Sequence, residues 1–307
     1  MLAVKTIPQN LMVLKREVQL MGIRFEFSVV GNDTNWADER INEAISEINR
    51  VEKLISAFSE DSSVNEINRN AGIKPVKTNA EIFRLISRSL EISELTHGSF
   101  NIIYYTDDRK DDQKQSSAKK SEIKNQNIVL DTVNQTVFLK DKNMRIGFGS
   151  NSMGYATDRA KYILQMNGVS SGVINAGGDI ITWGLQPDNS PWTLSSADAS
   201  QVNHPFSDFV IGNMAVATSV NKVKYASTIS KKVSRQINTK VGFPVSGIKS
   251  VSILSTSAEL ADSLSATILQ MGINAGLYLI NQLNQIGCVI IDDHDRVYTS
   301  KGISLSN

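Results

Sequence analysis

Strand-like and helix-like patterns in this chain come in runs, not in strict alternation, and that order constrains the fold more than any single motif. Strict alternation would give a parallel sheet with crossover helices, whereas mixed runs give an α+β arrangement with antiparallel strands. Ile23 to Val30 alternates and is rich in β-branched and aromatic residues, so it predicts a strand. From about Asn35 to Phe58 the apolar residues Ile41, Ala44, Ile48, Val51 and Ile55 recur at three- and four-residue spacing, which predicts a long helix. A short helical piece follows near Val64 to Arg69. Thr78 with Glu81 reads as a capping box opening a second long helix, and Gly98 suits the left-handed residue that ends it.

Further on, Ile128 to Leu139 predicts two short strands around Asn134, and Tyr155 to Met166 a helix stopped at Gly168. Ser171 to Asn175, Ile180 to Trp183, Trp192 to Ser195, Asn213 to Ala217 and Val251 to Leu254 predict strands. Thr256 with Glu259 reads as a capping box before a helix from Ala258 to Met271, and Asn274 to Leu283 predicts another. Cys288 to Ile291 and Val297 to Thr299 predict a hairpin. No repeat or linker divides the chain, so a single domain over 1–307 is expected, with 1–20 as an extension and 104–127 as a mobile charged loop.

Composition excludes several classes. A formal net charge of +1 gives no footprint for nucleic-acid binding. Cys288 stands alone in an apolar run, so no intrachain disulfide forms and a buried, inert thiol is expected. No stretch approaches the roughly 20 apolar residues of a membrane span. The first residues lack the apolar core of a signal peptide and a cysteine for lipidation. A cytoplasmic location is expected, or a periplasmic one if a targeting segment has been removed.

Three segments suit chemistry. Asn175-Ala176-Gly177-Gly178-Asp179 joins two strands, and its glycines let backbone N–H groups approach a ligand, though such a turn also occurs with no ligand. Gly147-Phe148-Gly149-Ser150-Asn151-Ser152-Met153-Gly154 feeds a helix N-terminus, which favours an anion such as phosphate. The plainer alternative is a tight strand-to-helix connection. Asp262 lies in a largely apolar helix, where a buried carboxylate needs a partner or a metal and an exposed one needs neither. The histidines His97, His204 and His294 show no metal-ligand spacing.

Together these segments resemble the FAD:protein FMN transferase (ApbE-type) family over roughly Met21 to Ile303. The resemblance is carried by Met21-Gly22, Ser63 to Asn68, Thr96-His97-Gly98-Ser99-Phe100-Asn101, Gly154-Tyr155-Ala156-Thr157-Asp158, Asn175 to Asp179, Ala217-Thr218-Ser219, Gly242-Phe243-Pro244 and Ala261-Asp262. It implies an α+β fold of antiparallel sheets packed with helices, T-fold-like. It also implies Mg2+-dependent transfer of FMN from FAD to a Ser or Thr hydroxyl of a partner protein, with AMP leaving. Carried over by position, it implies Asp262 and Arg235 as catalytic residues. The implied flavin-nucleotide contacts are Met21, Phe58, Ser99, Phe100, Asn101, Gly147, Met153, Gly177, Gly178, Asp179 and Ile237. The implied metal positions are Ser150, Asp262, Ser265 and Ala266.

The departures from the family pattern are selective. Gly147 stands where the family has Asp, Met153 where it has Lys or Glu, Arg235 where it has His, Asn238 and Asn101 where it has Asp, and Ala266 where it has Thr. Thr267 is one residue late, about 100° further around the helix. Losing these polar groups weakens metal binding and slows transfer. Three readings follow: an active transferase, a relative that holds FAD or another nucleotide without transferring it, and a non-catalytic partner protein.

Overall fold

A computed structural model describes residues 11–57, 59–106, 127–149, 151–197, 209–221 and 247–303. The chain forms two compact units, one from 1–49 with 153–307 and one from 50–152.

The first unit is built on an eight-stranded antiparallel sheet. In chain order its strands are β1 (Met12–Leu20), β2 (Ile23–Gly31), β8 (Gly172–Ala176), β9 (Asp179–Trp183), β10 (Ala215–Val220), β11 (Ile248–Ser255), β12 (Gly287–Asp292) and β13 (Val297–Thr299), and they neighbour one another in that order. Strands β1 and β2 pair in register from Met12 opposite Gly31 to Leu20 opposite Ile23. Met21 and Gly22 alone make the connection, at φ 50° and 78°. Two consecutive positive φ values are the signature of a type I′ hairpin turn, whose twist matches that of the strands. Met21 therefore serves the turn as well as standing in the resemblance.

Helix α1 (Thr34–Ile55) begins in this unit, and α4 (Ser152–Met166) precedes β8. Arg159 of α4 bonds Glu47 of α1 through Nε at 2.8 Å and lies 4.9 Å over the Tyr162 ring. A short helix α5 (Leu194–Ala197) is followed, after β11, by α6 (Ala258–Met271) and α7 (Ile273–Ile280). Helix α6 packs on β10 and β11 with Ala261, Leu264 and Ile268 fully buried.

The second unit holds α2 (Ser63–Arg69), α3 (Ala80–Leu95), a three-stranded sheet β3-β6-β5 and a two-stranded pair β4-β7. Their ranges are β3 (Val76–Lys77), β4 (Ile103–Tyr105), β5 (Ile128–Asp131), β6 (Thr136–Leu139) and β7 (Met144–Ile146). Asn68 of α2 clamps β7 at both edges of one residue: its Nδ2 donates to the Ile146 carbonyl at 2.9 Å and its Oδ1 accepts the Ile146 N–H at 2.8 Å.

Four sequence expectations need correction. The cap of α3 is Asn79, whose side chain accepts the Ile82 N–H, and the cap of α6 is Ser257, which accepts the Leu260 N–H. Each is one residue inside the predicted Thr78 and Thr256, because Asn79 and Ser257 are the last extended residues before the first turn. Trp192 to Ser195 is not a strand. Among the described residues the segment makes a single bridge, Thr193 to Val210 across α5, and buried Trp192 anchors it by donating its indole N–H to the Trp183 carbonyl at 3.2 Å. Strand β10 starts at Ala215, not Asn213, since Asn213 is left-handed (φ 57°) and its Oδ1 accepts the Gly184 N–H.

The β12–β13 hairpin closes around Asp292, which is 2% exposed. Burial alone pushes its carboxyl up, but hydrogen bonds from the Arg296 and His294 amides, the Arg296 guanidinium and the Tyr298 hydroxyl hold it down at about 2. A depressed carboxyl contributes stability that is present above its unfolded value and lost as pH falls through the folded one. Asp292→Asn is expected to move the acid unfolding midpoint to higher pH, read by circular dichroism between pH 5 and pH 2. An unchanged midpoint counts against this. Cys288 is buried as expected, with its thiol pushed up to about 12 by burial.

Candidate functional site

The chemistry-bearing residues of the first unit meet where the Asn175–Asp179 turn faces the start of α6. Gly177 and Gly178 have φ of 65° and 106°, so the turn needs residues without a Cβ. The turn is held from within: Asn175 Oδ1 accepts the Gly178 N–H at 2.8 Å, and the Gly177 N–H donates to the Arg24 carbonyl at 2.9 Å. Asp179, the first residue of β9, accepts the Thr218 N–H at 2.9 Å.

Asp262 sits in the second turn of α6 and accepts the Gly154 N–H at 3.1 Å. Burial pushes its carboxyl up, the Asp179 charge pushes it further, and the Gly154 amide only partly offsets them, leaving it at about 7. Asp179 is raised to about 6 by burial, partly offset by the Thr218 amide. Among the described residues no Lys, Arg or His pairs with either carboxylate. Two half-buried acids that repel each other and have no cationic partner form a site that a cation would relieve.

A crevice lined by Met153, Gly154, Thr157, Asp179 and Ala217 has about 10 Å³ of room, close to one water molecule. Helices α4 and α6 approach so closely that a Cβ on Gly154 would lie 2.3 Å from the Ala258 carbonyl oxygen. Asp158, one turn further along α4, accepts from the Ser257 hydroxyl (2.8 Å), the Ala258 N–H (2.9 Å) and the Glu259 N–H (3.0 Å).

The implied metal positions differ in what they offer. Ala266 is half-exposed one turn on from Asp262 and its methyl carries no donor. Ser265 is buried, donates to the Asp262 carbonyl at 3.1 Å and shares a 2.9 Å hydroxyl contact with Ser219 of β10. Thr267 is buried with its hydroxyl donating to Ser263, as the 100° offset requires. No group of three or more His, Cys, Asp or Glu gathers among the described residues. Mg2+ commonly uses one or two carboxylates and takes its remaining oxygens from water and substrate phosphates, so Asp262 with Asp179 fits it as a hard-oxygen donor set.

The glycine-rich loop is less open to phosphate than its sequence suggests. The Asn151 and Ser152 amides both donate to the Phe148 carbonyl, and the Gly154 amide is taken by Asp262.

In the second unit, Phe100 is buried and its N–H donates to Thr96 Oγ1 at 3.0 Å. Ser99 is half-buried beside it. Asn101 Oδ1 accepts the Ile103 N–H at 2.7 Å, while its Nδ2 is buried with no hydrogen-bond partner among the described residues. Gly147 lies under Tyr104, whose ring would be 3.3 Å from an added Cβ. Phe58, Ser150, Arg235 and Ile237 lie outside the described residues.

The eight-stranded antiparallel sheet packed with helices is the fold class expected of an ApbE-type protein. Residues 21–290 match the ApbE family, and the chain belongs to it. It is 24% identical over 262 residues to an FAD:protein FMN transferase of Klebsiella pneumoniae (strain 342), covering 80% of this chain and 79% of that one. It is 21% identical over 272 residues to the FAD:protein FMN transferase of Salmonella typhimurium, covering 83% and 78%. The fold is shared with the apo form of the Pseudomonas stutzeri flavinyl transferase ApbE, at TM-score 0.78 and 18% identity over 96% of this chain and 97% of that one. It is shared too with the ApbE protein of Thermotoga maritima, at TM-score 0.73 and 22% identity over 94% and 97%. Among the described residues no helix is long and apolar enough to cross a membrane.

Proposed function

We propose that this protein transfers FMN from FAD to a Ser or Thr hydroxyl of a partner protein, with Mg2+ as the required ion. The observation that carries this reading is the pair Asp179 and Asp262, two carboxylates both raised by burial, Asp262 further by the Asp179 charge, with no cationic side chain paired with them among the described residues. In the reaction the acceptor oxygen bonds to the FMN-side phosphorus, the bond from that phosphorus to the bridging oxygen breaks, and AMP leaves. The hydroxyl proton must pass to an acceptor. When bound, Mg2+ supplies neutralisation of the charge that builds on the pyrophosphate.

The chain's own groups supply position. Asp262, fixed by the Gly154 amide, and Asp179, fixed by the Thr218 amide, would hold the ion. Gly178 has open space where a Cβ would lie, which leaves room for close approach of the nucleotide.

The test is a thermal shift with FAD, with and without Mg2+, together with chromatography of AMP after addition of a purified acceptor protein. FAD is expected to raise the unfolding midpoint, Mg2+ to add to the shift, and AMP to appear with flavin on the acceptor. An FAD shift indifferent to Mg2+, without AMP, would instead favour a protein that holds flavin without transferring it. No FAD shift would remove flavin from its function.

A further inference from the structure

We propose that Asp158 is a positioning residue for Asp262, tying α6 to α4 so that Asp262 meets the Gly154 amide and faces Asp179. The two helices cap each other. Asp158 of α4 takes three donors at the start of α6, at 2.8 to 3.0 Å. Asp262 of α6 takes the Gly154 N–H, in the first turn of α4, at 3.1 Å. Each carboxylate lies where the other helix presents unpaired N–H groups and the positive end of its dipole.

A role in merely starting α6 does not account for Asp158. Helix α6 already has its own cap in Ser257, whose Oγ accepts the Leu260 N–H. What Asp158 adds is a link between elements about 100 residues apart in sequence. That link sits beside the bare contact of Gly154 with the Ala258 backbone. A small slide of α6 there would carry Asp262 away from both Gly154 and Asp179. Outer residues that orient a ligand-bearing group commonly change metal affinity about 10- to 100-fold when altered.

The inference rests on the flavin-transfer reading for its binding measurement, and the experiment separates the two. Asp158→Asn, Asp262→Asn and the double variant form a cycle. Mn2+ binding in the presence of FAD is followed by electron paramagnetic resonance, and unfolding midpoints are measured without ligand. Asp158→Asn is expected to weaken Mn2+ binding about 10-fold or more while the protein remains folded at the assay temperature, and to do nothing further once Asp262 is Asn. Ser257→Ala removes one donor to Asp158 and the Leu260 cap but no charge, and is expected to give a smaller loss of Mn2+ binding in the same direction; Asp158→Glu, which keeps the charge and the cap, replaces Asp158→Asn in the cycle if that variant does not fold. A lowered midpoint with unchanged Mn2+ binding would make Asp158 a purely structural cap and overturn the proposal. Equal losses in both backgrounds would overturn it as well. If the unaltered protein binds no Mn2+, the flavin-transfer reading fails, and the midpoints alone decide. Shifts smaller than additive in the double variant keep the link, and additive shifts refute it.

Discussion

Gly154→Ala is expected to destabilise the first unit by roughly 3 kcal/mol or more, at the top of the range for overpacked sites. The reason is contact with backbone. The added carbon would lie 2.3 Å from the Ala258 carbonyl oxygen, 2.6 Å from its carbon and 2.8 Å from Glu259 Cα. No side-chain rotamer relieves that, so α4 and α6 must separate. Separation breaks the Gly154 to Asp262 bond and strains the three bonds made by Asp158. The control lies in the same loop. Gly149 has open space where its Cβ would be and no positive φ, so Gly149→Ala is expected to stay within about 0.5 kcal/mol of the parent. Urea unfolding followed by circular dichroism compares the two. Equal midpoints would show that the helix contact relaxes at little cost.

That glycine also shows how far sequence reasoning reaches. Elements whose pattern is local were legible: the 3.6-residue period of α1, the alternation of β2, and the left-handed stop at Gly98 (φ 75°) are dictated by neighbours in sequence. The start of α6 is legible to the residue, although the sequence points to Thr256 as the cap and the structure uses Ser257. The glycine-rich loop was visible as a backbone feature, but its purpose was not. A glycine selected for a ligand and one selected for a helix crossing read alike until the partner helix is in place. Asp158 is the sharper case. In sequence it closes the motif Gly154 to Asp158 that the resemblance rests on, but nothing there says what it bonds, and its three donors lie about 100 positions away. No periodicity reports a contact of that span. The same limit explains Trp192, whose apolar neighbours mimic a strand while its indole is held by Ser171 and Trp183.

The candidate site was legible in its residues and not in its electrostatics. In the sequence Asp179 and Asp262 stand apart, one in a turn and one as an isolated carboxylate on an apolar helix. Their mutual repulsion appears only when β9 and α6 are brought together. Burial of both carboxylates, with the Asp179 charge added on Asp262, is the physical content of the site. It makes the ligand-free fold less stable than it need be, as strained or charged functional sites commonly do.

Removing the Asp262 charge is therefore expected to act in opposite directions on stability and on transfer. Both carboxyls lie above the ordinary value of 3.8, at about 7 for Asp262 and about 6 for Asp179. Between about pH 4 and pH 7 the folded chain thus holds more protons than the unfolded one, and their contribution to stability falls as pH rises through that window. Asp262→Asn deletes one titration while leaving an oxygen that can accept the Gly154 N–H. The variant and the parent are expected to be close in stability at pH 4. At pH 8 the ligand-free variant should be the more stable by on the order of 2 kcal/mol, a figure discounted for the partial exposure of the carboxylate. Added Mg2+ should raise the midpoint of the parent more at pH 8 than at pH 5, because the ion and the proton compete for the same oxygens, and it should leave the variant unmoved. FMN transfer by the variant should fall about 10³-fold or more, since a carboxylate that holds the charge-neutralising ion has no substitute at Ala266. Thermal melts across pH 4 to 8, with and without Mg2+, resolve the stability half, and AMP release resolves the other. A variant less stable than the parent at pH 8 would mean that Asp262 is held by attraction, and the cation site would have to lie elsewhere.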